Sequence, residues 1–272
     1  MPVPHHGLDA IGQPKSKTGP IIGVILFLVV GAGLLWYLNR AGDAAALEKA
    51  FQSPDVASYT SKAGQTAKTT FEDSTQLNLG ADTKLIVPPG YGQRWRAVQL
   101  DGTVELTPPP NADPPLDIRA RTVSVTSSNG TVGVHAFTTD NWTAVRVKNG
   151  TAQVTSPSGS RDVADGQGVI VDSAGAIRDA TAEELADAFS WTEGNLTITN
   201  QPLGEAIKRI RRWYNMELNV RDKALLTRPV TLKATIAESK QMVDSLQAVA
   251  KVKFGYDGGR MILTDASGSG RR

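Results

Sequence analysis

The chain has 272 residues, 40% of them apolar and 6% aromatic, with 26 Gly and 15 Pro, a make-up that suits short strands joined by turns. Twenty-nine Lys and Arg against 27 Asp and Glu leave a net charge of +2, which excludes a chain-wide electrostatic footprint for nucleic acid. The chain has no Cys, so disulfides, thiolate metal sites and Cys nucleophiles are excluded, and an oxidising compartment is accommodated.

Residues 1–19 hold Pro2, Pro4 and Pro14 and no helical stripe, and are expected to be a short cytoplasmic tail. His5 and His6 within it lack the further ligands a metal needs. A span is placed at residues 20–39. Its centre, IIGVILFLVVGAGLLWYL at 21–38, is uncharged and extends about 27 Å as a helix, close to the thickness of a bilayer core. Trp36 and Tyr37 suit the interface, and Arg40 can reach the headgroups. Ala44-Ala45-Ala46 resembles a signal-peptide cleavage site, but the apolar run exceeds a signal core, which favours an uncleaved anchor. Lys15 and Lys17 before the span, against Arg40 and Lys49 after it, leave orientation nearly balanced. The composition downstream looks like an extracytoplasmic β domain, which favours the N-terminus inside and the bulk of the chain outside.

Residues 40–56 read as a juxtamembrane helix and linker: DAAALEKAFQ favours helix and Ser53-Pro54 ends it. From 57 to 178 the texture becomes alternating: TQLNLGADTKLIV, RAVQLDGTVEL, RTVSVT, GVHAFT and AVRVKNGTAQVT predict about ten half-buried strands of an all-β, solenoid- or sandwich-like domain. Asp101-Gly102, Asn129-Gly130, Asn149-Gly150 and Ser158-Gly159 are expected to be turns between strands, with VKNGTAQV a hairpin. TPPPNADPPLD (107–117) is an extended loop or edge, because Pro lacks the amide donor.

Residues 179–190 predict a connecting helix, opened by a capping box of Thr181 and Glu184. Residues 191–265 predict two strand-helix-strand units in tandem, a small α+β domain with its helices on one sheet face. LTIT leads into a helix with Asn200 as cap and Pro202 in the first turn, and Leu203, Ala206, Ile207, Ile210 and Tyr214 form its stripe. MELNV returns as a strand. PVTLKAT, a helix striped by Met242, Leu246 and Val249, and a hairpin about Gly258-Gly259 complete the second unit. Residues 266–272 read as a disordered tail. The fold class is α+β overall, with one membrane helix.

The basic run Lys208, Arg209, Arg211 and Arg212, with Trp213 beside it, is the candidate partner-binding site, Trp213 being either core or a contact anchor. Arg there could pair with an acidic protein surface, and the bland alternative is a solvated helix face. Trp191 is assigned to packing at the domain junction. His135 reads as structural, since no nucleophile motif accompanies it. Asp73, Asp101 and Glu105 could form a glycosidase-like carboxylate pair but sit in turn and strand-edge contexts. No phosphate loop occurs, no catalytic, cofactor or metal residues are assigned, and no cofactor is expected.

YTSKAGQ, EDSTQLNLGADTKL, RAVQLDGTVEL, VRVKNGTAQV and DVADGQGV, in that order and spacing over residues 59–172, resemble the FecR domain of bacterial transmembrane signal transducers. WTEGNLTITNQPLGEAIKRIRRWYNMELNV is similar to the companion secretin and TonB receptor N-terminal (STN-like) module, here residues 191–264. The resemblance implies a single-span regulator of the bacterial inner membrane, N-terminus cytoplasmic and the bulk of the chain periplasmic, and not an enzyme. Such a protein reads the signalling domain of an outer-membrane TonB-dependent receptor and controls an extracytoplasmic-function sigma factor. Two features depart from the pattern. The short tail lacks the folded helical segment with which the family binds its sigma factor. The family's Gly-Thr-x-Phe stands here as Gly133-Val134-His135-Ala136-Phe137, which shifts the phenylalanine to the other face of a strand. The alternative reading is a membrane-tethered envelope or secretion adaptor with no sigma-factor role.

Overall fold

A computed structural model describes residues 43–266; the expected N-terminal tail, the membrane span and residues 267–272 of the expected C-terminal tail lie outside the described residues. The fold is mostly β with four helices, and among the described residues no helix is long and apolar enough to cross a membrane. Helix α1 covers residues 43–51.

Thirteen strands, rather than about ten, occupy residues 57–179 and form one nearly closed sheet: β1 (Ala57–Ser61), β2 (Ala67–Thr70), β3 (Gln76–Leu79), β4 (Thr83–Val87), β5 (Arg96–Thr107), β6 (Leu116–Ala120), β7 (Val123–Ser127), β8 (Thr131–Ala136), β9 (Trp142–Lys148), β10 (Ala152–Ser156), β11 (Gly159–Val163), β12 (Gly168–Asp172) and β13 (Ile177–Asp179). The twelve-residue β5 is their spine. Its first half pairs with β4 and β6, its second half with β3 and β8. One half-sheet therefore runs β11-β10-β7-β6-β5-β4-β1, and the other β13-β12-β9-β8-β5-β3-β2. Alternation places Leu85, Val98, Ile118, Val125 and Val154 of the first against Leu79, Val104, Val134, Val145 and Val169 of the second in one apolar core.

Asn129-Gly130 and Asn149-Gly150 lie between strands as expected, but one expected turn and the expected hairpin are corrected. Asp101-Gly102 is no turn: Gly102 (φ +138°) bends β5 where it passes between half-sheets. Asn149-Gly150 makes no hairpin, because β9 pairs with β8 and β12 whereas β10 pairs with β7 and β11. Only Asn149 has positive φ, while a type I′ hairpin needs it at both central residues. Asn149-Gly150 and Asn129-Gly130 turn the chain at corners between strands of different half-sheets. They stack: Thr151 N–H donates to Asn129 Oδ1 at 3.1 Å, and a Cβ on Gly150 would lie 2.6 Å from the Asn129 carbonyl. The reading of Ser158-Gly159 as a turn agrees with the β10–β11 hairpin, and the Pro-rich stretch is the loop between β5 and β6.

Helix α2 (Ala182–Phe189) opens on the expected capping box, with Thr181 and Glu184 bonded reciprocally at 3.2 and 2.9 Å. It lies over β8, β9 and β12, where Gly133 and Gly168 make room. A Cβ at these positions would meet Phe189 at 3.0 Å and Leu185 at 2.5 Å.

The C-terminal part contains β14 (Asn195–Pro202), α3 (Leu203–Tyr214), β15 (Asn219–Val220), β16 (Pro229–Thr235), α4 (Ser239–Ala250), β17 (Val252–Asp257) and β18 (Arg260–Asp265). The tandem strand-helix-strand expectation is corrected. The expected hairpin about Gly258-Gly259 is formed by β17 and β18, but the strands flanking each helix do not pair with each other: β14 joins β16 in one antiparallel pair, and β15, β18 and β17 form a second small sheet. The expected strand at 216–220 shortens to two residues because Met216 and Leu218 turn into the core before pairing starts. Asn200 does not cap α3. It sits at φ +49° at a bulge in β14, and the Leu203 N–H is satisfied by the Arg228 carbonyl at 2.8 Å.

A Cβ at Gly102 would fall 2.4 Å from Thr83 Oγ1 in a backbone region L-residues avoid. Gly102→Ala is expected to destabilise the fold by about 2–4 kcal/mol in urea unfolding; a loss below about 1 kcal/mol would remove Gly102 as the hinge of β5.

Candidate functional site

Helix α3 has two buried faces. Leu203, Ala206, Ile210 and Trp213 enter the C-terminal core with Leu196, Ile198, Val230, Leu232 and Met242. One turn round the helix, Arg209 and Arg212 are also buried, 8% and 5% exposed, and point at the β unit and α2. The basic run thus splits. Arg209, Arg212 and Trp213 are internal, which corrects both the partner-contact and the solvated-face readings for the two arginines and leaves Trp213 its core alternative. Lys208 and Arg211 remain exposed, Lys208 bonded to Glu205 at 2.8 Å.

Arg212 is the centre of the junction. Its guanidinium forms a fork to Asp140, with Nη1 to Oδ2 at 2.9 Å and Nη2 to Oδ1 at 2.6 Å, and Nη2 also donates to the Thr139 hydroxyl. The plane lies 3.7 Å from the Phe137 ring centroid. Phe137 is on the face opposite Val132, Val134 and Ala136, as the displaced phenylalanine implies, and that face is covered by α3. The Arg212 carbonyl accepts from the Gly64 N–H at 2.7 Å. Trp213 packs where a Cβ on Gly80 would lie 3.1 Å from its ring, and it stacks on Trp191 at 5.7 Å. This position of Trp191 fits its assignment to the junction.

Asp140 also accepts from His135 Nε2, 3.2 Å away, and the His135 ring stacks on Trp142 at 4.5 Å. Burial would raise the Asp140 carboxyl, but the bonds from His135 and Arg212 outweigh it and hold the group well below the usual carboxylate range. Burial lowers His135 to about 4, only partly opposed by Asp140. The geometry agrees: with Nε2–H given to Asp140, the buried Nδ1 meets no acceptor among the described residues, so a second proton there would be unsatisfied. His135 is a neutral structural donor.

Arg209 makes the weaker clamp. Its Nη1 lies 3.6 Å from Asp187 Oδ2, and its Nη2 donates to the Asp187 carbonyl. Asp187 also accepts from the Thr199 N–H at 3.2 Å and the Thr199 hydroxyl at 2.9 Å, tying α2 to β14 and α3. Burial pushes the Asp187 carboxyl up and Arg209 down despite their mutual attraction, so desolvation dominates this pair. A third charged contact lies under α2: Arg146 bonds Glu105 at 2.7 Å and rests 4.6 Å from the Phe189 ring centroid.

The carboxylates weighed for hydrolysis have structural partners. Asp73 pairs with Arg96 at 2.6 Å, Asp101 accepts from the Thr138 N–H at 2.8 Å, and Glu105 belongs to Arg146. Among the described residues no group of three His, Asp or Glu is placed to hold a metal.

Asp140, Thr139 and Asp187 were missed from the sequence, and Phe137 was marked by its change of face but not as the ring under Arg212. Asp140 lies 72 residues from Arg212, in a stretch that reads as an ordinary turn. One signal was present: Arg209, Arg212 and Trp213 share a helical face by their 3–4 spacing, beside the apolar stripe.

The FecR protein family model matches residues 57–153 and the FecR C-terminal model matches residues 195–263, together more than half of the chain. The chain belongs to the FecR family. Two crystal structures of a candidate anti-sigma factor from Parabacteroides distasonis ATCC 8503, at 2.50 and 1.65 Å resolution, share its fold. Each has a TM-score of 0.68 and covers 77% of this chain and 99% of its own, at 20% and 19% identity. No curated protein matches.

Removing one partner of a buried bidentate pair strands the other charge. Arg212→Ala and Asp140→Ala are each expected to cost about 3–5 kcal/mol in denaturant unfolding, and Arg212→Met with Asp140→Leu to recover most of it. Equal stability of either single variant and the parent would dismiss the junction. The junction is also acid-sensitive. Between pH 6.5 and about 4 the unfolded chain binds a proton at His135 that the folded chain refuses. Stability is therefore full above about pH 6.5 and falls by up to about 3 kcal/mol as pH drops toward 4. Asp140, depressed in the fold, adds a further loss as the pH falls below its ordinary 3.8. His135→Gln should flatten the first part of the stability profile and leave the second; an unchanged profile would mean that His135 is not the titrating group.

Proposed function

We propose that this FecR-like regulator is a single-span inner-membrane protein that holds its two folded parts in the periplasm. It receives a signal from the signalling domain of a TonB-dependent receptor, or from another envelope protein, through an STN-like C-terminal part. It passes that signal toward an extracytoplasmic-function sigma factor. Its chemistry is recognition rather than bond-making.

The observation that carries this reading is the buried Arg212–Asp140 fork, which couples the C-terminal part to the β unit. A contact on the outer face of α3 therefore bears on a helix whose inner face grips the β unit. That outer face offers Lys208 and Arg211 beside Ile207, along a groove of about 640 Å³ that also takes in Glu217 and Leu218. Arg211 has no ion pair among the described residues and can fork to a partner's carboxylate.

Full-length protein in detergent should retain a purified receptor signalling domain. Arg211→Glu with Lys208→Glu should weaken retention about tenfold while leaving the unfolding transition in place. Retention that is unaffected by the double variant would assign the contact elsewhere, and no retention of any such domain at micromolar concentration would count against receptor reading.

A further inference from the structure

The second small sheet ends in an open strand. β17 pairs with β18 on one side only, and no other strand among the described residues lies along its far side. Its outward backbone groups can be assigned. The Ala266 N–H donates to the Lys251 carbonyl at 2.9 Å, which sets the phase of the ladder, so Lys253, Gly255 and Asp257 direct their groups at β18. Val252, Phe254 and Tyr256 direct theirs away from it. Of these, the Phe254 N–H meets Gln247 Oε1 at 3.4 Å, a long contact from α4 that a strand could displace. Tyr256 is 74% exposed, the most exposed large apolar side chain among the described residues, and Phe254 is half-buried on the same face. An open edge with exposed aromatics is a template for another strand.

The sequence of this edge is complementary to itself. Reversed and laid against a copy of itself about Gly255, Lys-Phe-Gly-Tyr-Asp (253–257) sets Lys253 opposite Asp257 of the second chain, and Phe254 opposite Tyr256. We propose that β17 pairs antiparallel with β17 of a second copy, about a two-fold axis at Gly255, to make one continuous sheet across both chains. The backbone phase fits. Phe254 and Tyr256, whose groups face outward, become the mutually bonded pairs, and Gly255 meets its equivalent at a close, unbonded position. Opposed residues share a face, so two aromatic pairs form on one side and two ion pairs on the other. Lys253 has no ion pair among the described residues. Asp257 holds an exposed one to Arg221, which it can exchange. On an open edge, an unmatched Lys repels a second strand; the residue four positions on removes that penalty only in this register. The contact is small and belongs to the transient class, so trapping suits it better than sizing.

The chain has no Cys, so a single introduced thiol can form a disulfide only between copies. Gly255→Cys is the natural trap: Cα atoms at an unbonded antiparallel pair lie about 4.5 Å apart, within disulfide reach. A Cβ there makes only an ordinary 3.7 Å contact with Ile262. Under mild oxidation, full-length Gly255→Cys should give a cross-linked dimer at least about tenfold faster than Ser160→Cys, an exposed control on β11. On the Gly255→Cys background, Lys253→Asp and Asp257→Lys should each slow cross-linking about tenfold, and the two together should restore it. Cross-linking no faster than the control would overturn the pairing and leave the edge to a strand of another protein. A double swap as slow as the single ones would overturn the register. A single unchanged-mass species for the unmodified chain across the same concentrations, with Gly255→Cys folded but uncross-linked, would overturn it independently.

Discussion

A buried guanidinium forked onto a buried carboxylate holds this molecule together. Arg212 and Asp140 come from parts of the chain that share no strand pairing, and nothing else at the junction has comparable geometry. Buried ion pairs are weak sources of net stability but strict about position, because a charge left unmatched in the interior is costly. The other features of the junction follow from that requirement. His135 stays neutral and donates to Asp140, Phe137 presents its ring to the guanidinium, and Thr139 takes a remaining N–H. The displacement of Phe137 relative to the family pattern belongs to the same arrangement, since it places the ring on the face that α3 covers.

The two halves of the β unit depend on a different constraint. β5 serves both half-sheets, and Gly102 lets one strand change direction without breaking its ladder. Around it the chain crosses repeatedly between half-sheets, and the corners stack through Asn129, Gly130, Asn149 and Gly150. The result buries one continuous core with few open edges. The C-terminal part is built differently, with two small sheets that share one core and leave β17 open.

Much of this was legible in the residues, and the failures have physical causes. Alternation correctly marked the β region, the Thr181–Glu184 capping box correctly started α2, and the apolar stripe of α3 was placed on its buried face. Turn chemistry misled because Asn-Gly and Asp-Gly specify a backbone conformation, not a pairing. The same dipeptides serve as corners at 129–130 and 149–150 and as a bend inside a strand at 101–102. The candidate site was misjudged for a related reason. A helix-forming sequence shows which residues share a face, but whether a basic face meets water or a distant carboxylate is decided by tertiary structure. Lys208 and Arg211 kept their exposure, whereas Arg209 and Arg212 found Asp187 and Asp140.

The central claim is that the β unit and the C-terminal part unfold as one body because the charged junction binds them. Native-state hydrogen exchange, read amide by amide in the folded chain, tests this directly. The account predicts that amides of α3 and β16 share the highest protection with those of β5 and β8, and lose it together as denaturant is added. Exchange of α3 and β16 through a separate opening, several kcal/mol below that of β5 and β8, would contradict it.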